Sequence, residues 1–161
     1  MLGFGKKKTL SDDTGLYAPL SGTVIDLEQV ADPVFSKKVM GDGYAIEPTS
    51  DQIVSPVAGE VTLVQGHALG FKRADGLEVL LHLGIDTVSL NGQPFHIKVK
   101  LGDKVEGGDK LGRVDWQQVE AAGLPLTSMI LITNTSEKLG SLSIEKGKVQ
   151  AGDKLGQAKA K

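Results

Sequence analysis

The chain has 161 residues, a formal net charge of −2, no cysteine, 21 glycines and only 4% aromatics. This length suits one domain with its own core; the near-neutral charge argues against a nucleic-acid partner, and the absence of thiols excludes disulfides and cysteine chemistry. No apolar run approaches a membrane span, and Met1–Lys8 lacks the apolar stretch of a secretory signal, so a cytoplasmic protein is expected. Residues 1–15 read as a flexible basic tail and 16–161 as a single domain.

In chain order, short Val/Ile/Leu-rich runs separated by glycine predict strands over Leu16–Ala18, Gly22–Leu27, Gly43–Pro48, Gln52–Ser55, Gly59–Gln65, Ala68–Arg73 and Glu78–Leu83. Further strands are predicted over His96–Val99, Lys110–Val114, Ser128–Ile132, Leu139–Ile144 and Lys154–Ala158. One helix is clear. Asp115 can cap it, Gln118 can complete a capping box, and Gly123 with Pro125 ends it. A further helical turn is expected within Glu28–Val30 or Pro33–Val39.

Two motifs recur. Ala18-Pro19-Leu20-Ser21-Gly22-Thr23-Val24 returns as Ser55-Pro56-Val57-Ala58-Gly59-Glu60-Val61. Lys104–Gly112 returns as Lys148–Gly156, differing only at Glu106/Gln150 and Gly107/Ala151. Two copies are too few for a solenoid. The expected fold is therefore all-β: an antiparallel β-sandwich or barrel with a duplicated hairpin motif and one or two short helices. The Gly-Asp-Lys segments read as turns, glycine supplying positive φ and aspartate bonding local backbone.

The segment Leu77-Glu78-Val79-Leu80-Leu81-His82-Leu83 alternates, which sends Leu77, Val79, Leu81 and Leu83 to the core and Glu78, Leu80 and His82 to the other face. His82 thus lies outside the core beside apolar Leu80, with Gly84 and Asp86 following. Alternation along Val61–His67 places Leu63, Gln65 and His67 on one face. If the two strands are neighbours, the imidazoles of His67 and His82 meet. The third histidine, His96, has no such context.

The run His82-Leu83-Gly84-Ile85-Asp86-Thr87-Val88, with Ala18-Pro19-Leu20-Ser21-Gly22, Pro56-Val57-Ala58-Gly59 and Gly66-His67-Ala68, resembles the glucose-type enzyme IIA of the bacterial phosphoenolpyruvate:sugar phosphotransferase system. The resemblance spans about Leu16 to Gln157. It implies a duplicated β-sandwich that takes a phosphoryl group from the histidine phosphocarrier protein and passes it to a cysteine of a permease IIB domain, meeting the membrane only through that permease. By the same resemblance His82 matches the phosphorylated histidine, His67 the second site histidine and Asp86 the site aspartate.

A neutral imidazole is a nucleophile at pH 7 without a separate base. His67, and backbone N–H groups around Gly84, are expected to donate to phosphoryl oxygens. Asp86 is expected to hold an N–H network or a partner's arginine, or else to be a turn residue before Thr87. Family members commonly carry threonine two residues before the second histidine; here Gln65 stands there and can bond the imidazole through its side-chain oxygen. Val34, Phe35, Val39 and Met40 match the family's docking surface, and Leu63 and Leu80 extend it. No cofactor or resident metal is expected, beyond adventitious zinc at His67 and His82. Other readings are a regulatory module governed by its phosphorylation state, a zinc hydrolase on a similar fold, for which a His-x-His pair is missing, and a swinging-arm carrier, for which a Met-Lys pair is missing.

Overall fold

The computed structural model describes residues 10–161. Alternation and glycine spacing resolve among them into fourteen strands. They are β1 (Gly15–Tyr17), β2 (Gly22–Asp26), β3 (Asp42–Pro48), β4 (Gln52–Val54), β5 (Gly59–Val64), β6 (Ala68–Lys72), β7 (Glu78–His82) and β8 (Phe95–Ile97), then β9 (Lys104–Val105), β10 (Lys110–Val114), β11 (Ser128–Ile132), β12 (Leu139–Ile144), β13 (Gly147–Val149) and β14 (Lys154–Ala160). An eight-stranded sheet runs β13-β2-β3-β11-β7-β6-β5-β9; two three-stranded sheets, β1-β14-β12 and β4-β10-β8, cover its inner face. Every strand pairing is antiparallel. The short helices are α1 (Pro33–Ser36), α2 (Trp116–Ala121) and α3 (Thr135–Lys138), with 3-10 turns at Leu27–Gln29 and Thr87–Leu90.

The repeats interlock. Tyr17 N–H donates to Pro56 O (2.9 Å), and Val54 N–H donates to Pro19 O (2.9 Å), so the two proline motifs exchange matching bonds. Each motif also clasps one Gly-Asp-Lys turn. Ala18 N–H donates to Asp153 O and receives Gly152 N–H on its own carbonyl; Ser55 does the same with Asp109 and Gly108. Within each turn the glycine has φ near +90° (Gly108 +89°, Gly152 +91°), a backbone state costly for other residues. The following aspartate carboxylate accepts the N–H at the turn's start, Asp109 from Glu106 and Asp153 from Gln150. The sequence repeat is thus a pseudo-two-fold repeat of hydrogen bonds.

The main core lies between the layers. Val79, Leu81, Ile130 and Ile132 of the large sheet meet Leu16 and Leu155 of one small sheet and Ile53 and Leu111 of the other. A second cluster lies on the outer face of the large sheet, where Leu27, Val30 and Phe35 cover Ala45, Met129 and Leu131. This explains the unbroken apolar run Met129–Ile132: β11 is a central strand buried on both faces.

Three details differ from the sequence reading. Of the residues assigned to the tail, 1–9 lie outside the described residues, but 11–15 are held in place. Ser11 Oγ donates to the Glu106 carboxylate, Tyr17 Oη donates to Asp13 (2.6 Å), and Ala158 N–H donates to Thr14 O (3.0 Å). Gln118 completes no reciprocal box, because the Asp115 N–H is already given to Pro94 O (2.7 Å); the Gln118 amide donates instead to the Asp115 carboxylate (2.8 Å). Strands β9 and β13 went unrecognised because two or three residues carry too little alternation.

One ion pair, built on a buried arginine and a half-buried aspartate, ties these layers together. The Arg73 side chain is 1% exposed, and its guanidinium makes a two-pronged bond to the Asp75 carboxylate. It also donates to Ala158 O (2.7 Å) and Thr14 O (3.3 Å), joining the β6–β7 hairpin to β14 and to the residue that precedes β1 in the small sheet. Burial alone would raise the Asp75 carboxyl, but the bonds from Arg73 and from Leu77 N–H bring it below its ordinary value. Its contribution to stability is therefore complete above the unfolded-state pKa and is lost as pH falls through the lower folded-state value. Asp75→Ala leaves the buried guanidinium without its counter-charge and is expected to destabilise the fold by about 3 kcal/mol, read as a lower urea midpoint at neutral pH.

Candidate active site

The outer face of β7 carries Leu80 and His82, while Val79 and Leu81 point into the main core. His82 pairs in register with Ala68 on β6 and Met129 on β11, so small and apolar neighbours flank the imidazole in the sheet. Above it lies α1. Asp32 caps that helix by accepting Val34 N–H (2.9 Å), Pro33 opens it, and Phe35 turns inward. The Phe35 and His82 ring centroids are 5.2 Å apart, tilted by 54°.

His67 does not reach the site as the third member of an alternating strand. β5 ends at Val64, Gly66 turns the chain at φ +67°, and His67 sits in the β5–β6 connection. It is β6 that pairs with β7, and Leu83 N–H donates to His67 O (2.7 Å). The outcome is a close pair of imidazoles, centroids 5.2 Å apart and nearly edge-to-face at 78°.

Each ring is held by a carbonyl. His82 Nδ1 bonds Gly84 O at 2.8 Å, and His67 Nδ1 bonds Gln65 O at 3.0 Å. A carbonyl only accepts, so in both neutral rings the proton lies on Nδ1 and the lone pair on Nε2. Burial pushes the His82 pKa down, as does His67; the bond to Gly84 O and the charges of Asp86 and Asp32 oppose this without reversing it. His82 is therefore a half-buried imidazole whose neutral form is favoured, with its lone pair on Nε2.

Several expected roles change. The N–H groups around Gly84 are occupied: Gly84 N–H donates to Ser128 Oγ (3.3 Å) and Ile85 N–H to Pro125 O (3.2 Å). Gly84 instead supplies the carbonyl that orients His82. Its φ of +78° puts it in left-handed space, and a Cβ there would lie 2.6 Å from Thr87 Cγ2. Gln65 bonds His67 through its backbone oxygen, so that bond is indifferent to the side chain, which is exposed. Asp86 is exposed, at φ +62°, and its carboxylate caps nothing in the following turn; its backbone oxygen accepts Ser89 Oγ (2.9 Å).

The apolar rim is divided in the same way. Phe35 is 5% exposed and belongs to the outer cluster, whereas Val34 and Val39 are 43% and 71% exposed. Met40, Leu63 and Leu80 are half-buried. Val88, the last residue of the histidine motif, is 63% exposed. Among the described residues no third His, Asp or Glu joins His67 and His82 in a potential metal-binding group.

A neutral imidazole needs no base to accept a group, and a surface setting with an apolar rim admits another protein. These are the requirements of a group carrier. The comparisons with known proteins make that class specific. The model of the phosphoenolpyruvate-dependent sugar phosphotransferase system EIIA 1 family matches residues 14–138. The glucose-specific EIIA component of Staphylococcus aureus (strain COL) is 43% identical over 136 residues, 83% of this chain and 82% of that protein. Its counterpart in Staphylococcus epidermidis (strain ATCC 12228 / FDA PCI 1200) is 42% identical over 144 residues, 88% and 86% of the two chains. The glucose permease IIA of Mycoplasma capricolum superposes with a TM-score of 0.80 at 39% identity, covering 88% of this chain and 93% of that one. The chain belongs to the IIA family of the sugar phosphotransferase system, a phosphocarrier relay in sugar uptake.

In a proton NMR titration the His82 ring is expected to have its midpoint below the ordinary histidine value of 6.5. At that pH more than half of the ring is neutral. Because the folded state binds this proton more weakly than the unfolded chain, protonation works against the fold, and stability declines on the acid side of 6.5.

Proposed function

We propose that His82 Nε2 is the atom that carries the phosphoryl group. The observation that carries this reading is the 2.8 Å bond from Nδ1 to Gly84 O, which leaves Nε2 as the lone-pair nitrogen. The Nε2 lone pair forms the new N–P bond as the bond to the phosphohistidine of the histidine phosphocarrier protein breaks. That bonding pair returns to the donor imidazole. In the next step a thiolate of a IIB domain attacks phosphorus, and the N–P electrons return to His82 Nε2. The Nδ1 proton stays in place throughout, and Gly84 O stabilises the positive charge that the ring gains when N–P forms. The relay takes place in the cytoplasm. Relatives named glucose-specific support a glucose-type permease as the acceptor.

His67 acts differently from a simple neutral donor. With its Nδ1 proton committed to Gln65 O, Nε2 can donate to a phosphoryl oxygen only when the ring is doubly protonated.

In transfer assays with the phosphocarrier and a IIB domain, His82→Gln is expected to abolish acid-labile phosphorylation. His67→Gln should still be labelled but should pass the group on about 10²–10³-fold more slowly, having lost a donor to the transferring oxygens. Labelling of His82→Gln but not of His67→Gln inverts the assignment.

Partner docking is assigned to the exposed apolar rim, Val34, Val39 and Val88, with half-buried Met40, Leu63 and Leu80 inside it. Phe35 contributes from below by holding α1 and His82. Val39→Glu and Val88→Glu are expected to weaken phosphoryl exchange by about 2 kcal/mol or more of binding while leaving the urea midpoint unchanged. Phe35→Ala should lower both. Unaltered exchange kinetics in the two glutamate variants removes the rim from the mechanism.

A further inference from the structure

We propose that Thr87 and Ser128 are positioning residues of this relay, jointly fixing the Gly84 backbone that determines which nitrogen of His82 is free. The proposal rests on the reading of His82 Nε2 as the phosphoryl acceptor.

Two successive peptide groups form the turn beneath His82, and all four of their polar atoms are engaged. In the first, Leu83 O accepts from Thr87 Oγ1 (2.6 Å), and Gly84 N–H donates to Ser128 Oγ (3.3 Å). In the second, Ile85 N–H donates to Pro125 O (3.2 Å), and Gly84 O accepts from His82 Nδ1 (2.8 Å). The Ser128 hydroxyl proton is itself committed to Leu126 O (3.0 Å), so its oxygen is left to accept. Both hydroxyl residues are 0% exposed. The Thr87 methyl also fills the space in which a Cβ on Gly84 would lie, 2.6 Å away.

The two supports come from different parts of the chain. Thr87 opens the 3-10 turn at the end of the motif, and Ser128 opens β11, which pairs with β7. A turn with glycine at φ +78° has little intrinsic preference for one peptide orientation. With either hydroxyl removed, the peptides can rotate and Gly84 O leaves the line of Nδ1–H. The ring can then carry its proton on Nε2, which blocks the attacking lone pair. Neither side chain touches the phosphoryl group; each acts through the backbone.

The test uses the full chain with Thr87→Val, Ser128→Ala and Thr87→Ser. Nitrogen-15 NMR reads the His82 tautomer in the unphosphorylated protein, and rapid quench reads phosphoryl acceptance from the phosphocarrier. The wild type is expected in the Nδ1–H form. Thr87→Val and Ser128→Ala should populate the Nε2–H form and accept about tenfold to a hundredfold more slowly, with KM for the phosphocarrier unchanged. Thr87→Ser, which restores the donor, should recover both the tautomer and the rate. Retention of the Nδ1–H form in both disruptive variants overturns the positioning role, whatever the rate does; should Thr87→Val fail to fold, Ser128→Ala alone decides. A shifted tautomer with an unchanged rate overturns the assignment of Nε2 as the acceptor.

Discussion

The hydrogen bond from His82 Nδ1 to Gly84 O is the contact on which the site depends. Imidazole has two equivalent-looking nitrogens, and a phosphoryl carrier must present one as a lone pair and keep the other protonated. A side-chain acceptor would do this less firmly, because it has its own rotamers and, if a carboxylate, its own titration. A backbone carbonyl has neither freedom. The cost is that the local chain must turn sharply enough to bring its own carbonyl under a side chain two residues back. That turn requires left-handed backbone at Gly84, and Asp86 adopts a second left-handed conformation just beyond it.

The sandwich gives this turn a stiff base. β7 is an interior strand, bonded on both sides by β6 and β11 and packed on one face against the main core. The other face would ordinarily be solvated in an antiparallel sandwich. Here the chain between β2 and β3 folds back over it, and Phe35, Leu27 and Val30 form a second apolar cluster. His82 lies at the margin of that cluster. This placement explains how one ring can be desolvated enough to remain neutral and still be open to a protein partner.

Much of the architecture was legible in the sequence, because alternation and glycine turns are local signals. β10, β11 and β12 fall where the pattern placed them, and the two motif repeats anticipated the paired clasps around Ala18 and Ser55. The alternation over Leu77–Leu83 gave the facing of His82 correctly. What escaped was set by contacts distant in sequence. Phe35 reads as a surface anchor until the outer cluster that buries it is assembled. Gly84 N–H reads as a free donor until β11 brings Ser128 beside it. Thr87 and Ser128 leave no periodic trace, since a small hydroxyl residue in a turn or at a strand start has many ordinary uses. The Gln65 departure has no consequence for that bond, because a backbone oxygen serves where the residue types suggest a side-chain one.

β1 and β14 are hydrogen-bonded neighbours, Gly15 opposite Gln157, in the small sheet that packs on the inner face of the large one. Residues 15 and 157 therefore lie side by side on the layer opposite the histidine face, and beyond them the chain stays bonded to the domain, Ser11 to Glu106 and Lys161 to Lys138. A tether reaching the domain through this layer starts on the side away from the histidine face. Joined by a flexible linker to an acceptor domain, the histidine face would be free to swing toward its target, and the transfer would be governed by an effective local concentration set by linker length rather than by the amount of protein in solution. The same geometry suits a freely diffusing carrier and a covalently leashed one, so the relay can change its mode of delivery without any change to its chemistry.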